Sequence, residues 1–113
     1  MVKNTKQDQP LRHEITLQRV LYALSDGLRL DIVLKLADAG EIQCGGFGLT
    51  MPKSSLSHHF KVLRQSGVIA TRREGKEWIN TLRKDDLEAR FPGMLHAIIT
   101  AAVVDVDKTS TAK

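Results

Sequence analysis

At 113 residues the chain has room for one compact domain, not for a catalytic domain joined to a regulatory one. A hydrophobic share of 42% with 27% charged residues excludes wholesale disorder, and the single cysteine, Cys44, excludes an intrachain disulfide. The formal charge of +4 is unevenly spread: Lys53 to Lys84 holds eight cations against two anions, a net +6, and the remainder sums to −2, so one contiguous segment carries the footprint of a polyanion partner.

The first ten residues are polar and contain no apolar run that could act as a signal peptide, and no later stretch is apolar for long enough to span a bilayer. The sequence thus predicts a cytoplasmic location and no membrane partner. Residues 1–10 and 105–113 read as flexible tails around a domain at 11–104.

From Leu11 to Leu24 the apolar residues Leu11, Ile15, Leu17, Val20, Leu21 and Leu24 recur at steps of three and four, which predicts a first helix. Ser25-Asp26-Gly27 interrupts it and offers an N-cap to a second, leucine-rich helix that stops at Asp38-Ala39-Gly40. In Ile42 to Met51 the glycines at 45, 46 and 48 each cost roughly 1 kcal/mol in a helix interior, so a short or distorted helix is expected there. Pro52 suits the first turn of the next helix, in which Leu56, Phe60 and Leu63 face inward and Ser54, Ser55, Ser57, His58, Lys61 and Gln65 outward, with Gly67 as its stop. Val68 to Glu74 and Glu77 to Leu82 alternate like strands around a Glu74-Gly75-Lys76 turn. The chain ends in a helix with a broad apolar stripe from Leu95 through Val106, wider than one core contact needs, which predicts burial against a second copy of the chain.

This order predicts a mainly α fold with a small β-hairpin: a winged helix-turn-helix, helix-helix-helix-helix-strand-strand-helix, dimerising through terminal helices. Small polar residues near the N-terminus of a reading helix let its backbone approach phosphates; Ser54, Ser55 and Ser57 meet that demand, and Arg72, Arg73 and Lys76 put cations on the wing. An aromatic share of 4% leaves few stacking platforms for single strands, so double-stranded DNA is the favoured partner.

Two spaced motifs carry a family resemblance. Ala23-Leu24-Ser25-Asp26-Gly27-Leu28-Arg29-Leu30-Asp31-Ile32 resembles a characteristic early motif, and Lys53-Ser54-Ser55-Leu56-Ser57-His58-His59-Phe60-Lys61-Val62-Leu63-Arg64-Gln65-Ser66-Gly67-Val68-Ile69 the recognition helix and the start of the wing, of the ArsR (arsenic-repressor-like) family of bacterial transcription regulators. The resemblance covers about residues 15 to 82. It implies a homodimeric repressor of an operator, with Lys53, Ser54, Ser57 and His58 at the major groove. Ser55 and Lys61 would then serve phosphates, and Arg72, Arg73 and Lys76 would hold the wing on the backbone.

The metal-sensing patterns of that family, a Cys-x-Cys-type pair or an Asp/His set in the last helix, are missing. Cys44 alone cannot complete a tetrahedral site, so no metal or other cofactor is expected. Cys44 remains open as a redox-sensing thiol or as a small packed hydrophobe. Adjacent His58 and His59 point about 100° apart on a helix, which favours an outward His58 as a DNA contact and a packed, hydrogen-bonded His59. A small Cys/His enzyme and a non-DNA interaction module stand as the alternatives from other classes; no catalytic constellation supports the first, and a non-enzyme is expected.

Overall fold

In the computed structural model, which describes residues 9–111, helices and a three-stranded antiparallel sheet enclose one core. The helices are α1 (Leu17–Leu24), α2 (Gly27–Ala39), α3 (Lys53–Ser66), α4 (Lys84–Arg90) and α5 (Met94–Thr111). The strands are β1 (Glu41–Gln43), β2 (Ile69–Glu74) and β3 (Glu77–Leu82), in the order β1-β3-β2. No single helix among the described residues is long and apolar enough to cross a membrane.

The first predicted helix is divided. Arg12–Glu14 form a 3-10 turn, Ile15 and Thr16 are extended, and α1 begins only after Thr16, whose hydroxyl accepts the Arg19 N–H. Tertiary contacts override the helical periodicity. Ile15 is fully buried, and its carbonyl accepts two bonds, at 2.6 and 3.1 Å, from the Arg90 guanidinium at the end of α4. Such a carbonyl cannot also serve a helix.

The second helix follows the prediction. The Asp26 carboxylate caps it by accepting the N–H groups of Leu28 and Arg29, and Gly40, at φ 88°, ends it. Ile32, Val33 and Leu36 are fully buried and place α2 at the centre of the core.

The segment expected as a short helix is instead a third strand followed by a 3-10 turn at Cys44–Phe47. β1 adds to the free edge of β3, pairing Ile42 with Asn80, so the predicted two-stranded hairpin belongs to a larger sheet. Three glycines weaken any helix there, and an available sheet edge decides the outcome. Phe47 is buried, its ring 5.2 Å from that of Phe60, and fastens the turn to α3.

The hairpin register pairs Ile69 with Leu82, Thr71 with Asn80 and Arg73 with Trp78, which puts these residues on one face. Asn80 is completely buried there. Its amide oxygen accepts the Thr71 hydroxyl at 2.8 Å, and its nitrogen donates to the Ile42 carbonyl at 3.2 Å and to Cys44 Sγ at 3.3 Å, joining all three strands to the turn.

Residues 1–8 of the expected N-terminal tail lie outside the described residues. Gln9 and Pro10 are tied down: the Gln9 amide exchanges two bonds of 3.0 Å with the Thr71 backbone, imitating a strand on the open edge of β2, and the Pro10 carbonyl accepts from Arg83. At the other end α5 continues to Thr111, beyond the boundary read at residue 104.

Asp86 on α4 gathers Arg12 at 2.7 Å and Arg83 at 2.9 Å. Hydrogen bonding from Arg12, then from Arg83, holds its carboxyl below the usual aspartate range. A depressed carboxyl stabilises the fold fully above its unfolded pKa of about 4 and loses that contribution as pH falls through the folded value. In acid titration of urea stability, Asp86→Asn is therefore expected to be less stable than the parent at neutral pH and to converge with it as pH falls through the lowered folded value.

Candidate nucleic-acid interface

α3 lacks a side-chain N-cap: Pro52, extended at φ −56° and ψ 146°, offers its carbonyl to the N–H groups of Ser55 and Leu56. At the far end Gly67, at φ 88°, closes the helix in a Schellman arrangement, its N–H bonding the Arg64 carbonyl and that of Val68 the Leu63 carbonyl. Between these stops Phe60 and Leu63 are buried and Leu56 half-buried, fixing the rotation of the helix.

That rotation leaves Ser54, Ser57, His58 and Lys61 exposed at spacings of three and four, on one outward face, with Lys53 exposed one turn before Ser57. Ser55 is half-buried and turned toward the flank that carries His59. The helix end, Ser54, Ser57 and the cations stand together on this face, whereas Ser55, expected to face outward with them, is turned aside by the rotation that buries Phe60 and Leu63.

His59 is packed and hydrogen-bonded. Its Nδ1 lies 3.1 Å from Arg29 Nη1 and 3.8 Å from the Asp26 carboxylate. A guanidinium only donates, so Nδ1 accepts and the ring proton is assigned to Nε2. Arg29 is 5% exposed and donates as well to the carbonyls of Ala23 at 2.7 Å and Tyr22 at 3.4 Å, closing the end of α1. The Asp26 carboxyl is held below its ordinary value, chiefly by the Arg29 N–H. One side chain on α2 therefore sets α3 against α1. In the sequence the one signal for this role is an arginine inside a helix otherwise rich in leucine.

The wing cations have unlike surroundings. Arg72 forms a two-pronged pair with Glu41, both contacts 3.0 Å, and a third bond of 2.8 Å with Glu74. These bonds raise the Arg72 pKa and lower that of Glu41. Arg73 points to the other face, its guanidinium 5.3 Å from the centre of the Trp78 ring and bonded to the Gly75 carbonyl. Lys76 is exposed at the tip.

Cys44 is half-buried and accepts from Asn80. Among the described residues no three His, Cys, Asp or Glu side chains gather at one point.

Comparison with known proteins places these features in context. No family model matches the chain. It is 36% identical over 83 residues to an uncharacterized HTH-type transcriptional regulator, YceK of Bacillus subtilis, covering 71% of this chain and 83% of that one. Among solved structures, the transcriptional repressor BigR from Xylella fastidiosa is 30% identical with a TM-score of 0.58, over 75% of this chain and 84% of BigR. HlyU from Vibrio cholerae is likewise 30% identical with a TM-score of 0.58, over 72% and 88%. An ArsR family transcriptional regulator, 16% identical with a TM-score of 0.57 over 100% of this chain and 99% of that one, shares the fold.

Proposed function

The chain belongs to the ArsR family of transcriptional regulators, not to an enzyme family, and we propose that it acts as a homodimeric repressor, occupying an inverted-repeat operator in the cytoplasm. The observation that carries this reading is the outward face of α3, where Lys53, Ser54, Ser57, His58 and Lys61 stand exposed while Phe60 and Leu63 anchor the helix. Lys53, Ser54, Ser57 and His58 read bases; Ser55 and Lys61 serve phosphates. On the wing, Arg73 and Lys76 reach the flanking backbone, and Arg72 joins them only by exchanging carboxylate for phosphate. That BigR is a repressor supports the same direction of control.

Fluorescence anisotropy with duplex from the protein's own promoter tests this reading. Log K is expected to fall linearly with log[salt], and Lys61→Ala, Arg73→Ala or Lys76→Ala each to flatten the slope by roughly 0.9 per lost phosphate contact. Arg72→Ala, already neutralised by Glu41 and Glu74, is expected to flatten it less. Ser57→Ala with His58→Ala should abolish sequence preference and leave salt-dependent binding; preference that survives this pair overturns the assignment.

Leu17, Leu21 and Tyr22 are exposed on α1, and Val103, Val104 and Val106 on α5. Apolar side chains on both terminal helices support a dimer contact there. Leu21→Glu with Val104→Glu is expected to sediment as a monomer and to lose cooperative occupancy of two half-sites about 34 Å apart.

A further inference from the structure

Of the three wing cations, Arg72 alone is held by carboxylates among the described residues; Arg73 bonds a backbone carbonyl. Glu41 reaches Arg72 from β1 through two contacts of 3.0 Å, and Glu74 reaches it from its own strand at 2.8 Å. Since β3 lies between β1 and β2, the Glu41–Arg72 pair spans two strand spacings, about 9.6 Å, and needs the full length of both side chains. All three side chains are about half exposed.

We propose that Glu41 and Glu74 are specificity-determining residues: they withhold Arg72 from DNA of unrelated sequence and release it only to a phosphate that a seated recognition helix fixes beside the wing. The inference rests on the reading of α3 as the recognition helix and of the hairpin as the wing. An exposed ion pair is weak, so a phosphate held in place can displace it. Unrelated duplex holds a protein chiefly by charge and in many registers, and no one phosphate stays opposite Arg72 in all of them. There the carboxylates keep their partner, and the closed triad, one cation with two anions, repels the backbone. Weakening the wrong complex widens the gap between operator and unrelated sequence as surely as strengthening the right one.

A duplex enriched from a randomised pool, set against a scrambled duplex of the same composition, tests the clamp by fluorescence anisotropy. Glu41→Asp with Glu74→Asp keeps every charge but shortens each side chain by one methylene, roughly 1.5 Å, which draws both carboxylates back from Arg72. This pair is expected to bind the scrambled duplex about threefold tighter or more, with a salt slope steeper by up to about 0.9 per protomer, and to bind the enriched duplex within about twofold of the parent. Glu41→Gln with Glu74→Gln removes the repulsion as well and should narrow the ratio of the two affinities further, by roughly tenfold. Both pairs should unfold at urea concentrations close to the parent's, because exposed ion pairs add little to stability. An aspartate pair that keeps the parent's ratio, whatever the glutamine pair does, overturns the clamp and leaves only summed charge at work. A parent that enriches no sequence, or binds both duplexes alike, overturns the recognition-helix reading and the proposal with it.

Discussion

Gly67→Ala is expected to destabilise the fold by roughly 2–5 kcal/mol, measured by urea unfolding. Two costs add. Gly67 sits at φ 88°, where a side chain costs about 1–2 kcal/mol. An alanine Cβ would also stand 2.5 Å from Ile15 Cγ1 and 2.7 Å from its Cδ1, and Ile15 is held by burial and by Arg90, so overpacking adds about 1–3 kcal/mol. Gly75→Ala at the wing tip separates the two, since its φ is 62° but its Cβ would meet nothing within 4 Å. It should show the conformational cost alone. Equal losses in the two variants would contradict the Ile15 contact. Removing the crowding with Ile15→Ala is expected to make the double variant more stable than the sum of the single losses. Gly67 joins the end of α3 to β2, so a shift there moves α3 relative to the β2–β3 hairpin.

Arg29→Met is expected to cost roughly 2–4 kcal/mol and to lower DNA affinity with it. Methionine conserves much of the bulk but leaves the carbonyls of Ala23 and Tyr22 and the Nδ1 of His59 without the donor they have now. Hydrogen bonds to charged groups are each worth about 1.5–3 kcal/mol, and water reaches only part of this site. Arg29→Lys is expected to recover little, because a single ammonium cannot reproduce a planar fork that serves carbonyls on α1 and an imidazole on α3. His59→Ala removes only the last of these partners and should cost less. A lysine variant as stable as the parent would show that charge alone, rather than the fork, holds the corner.

The site was more legible than its supports. Ser54, Ser57, His58 and Lys61 follow from the position of Leu56, Phe60 and Leu63, because helical spacing assigns the outward side chains once the apolar stripe is known. Gly67 and Asp26 were legible for a similar local reason: an αL stop and an N-cap are properties of a few neighbouring residues. The role of Arg29 was not, since its partners lie on two other helices, α1 and α3. Neither was the Arg72–Glu41 pair, whose members are far apart in sequence and meet only across the sheet.

The same division accounts for the two revised elements. Leu11 to Leu24 has the period of one helix, but the burial of Ile15 and the claim of Arg90 on its carbonyl divide it. Ile42 to Met51 has too much glycine to hold a helix, and β3 supplies an edge that converts its start into a strand. By itself the sequence determined α2, α3 and the terminal helix, the hairpin, the basic segment and the face that α3 turns outward, because local periodicity, caps and charge are written in neighbouring residues. Only the tertiary structure decided where helix one breaks, that the sheet has a third strand, and which wing cation is neutralised, because backbone groups and charges settle on whichever partners the folded chain brings within reach.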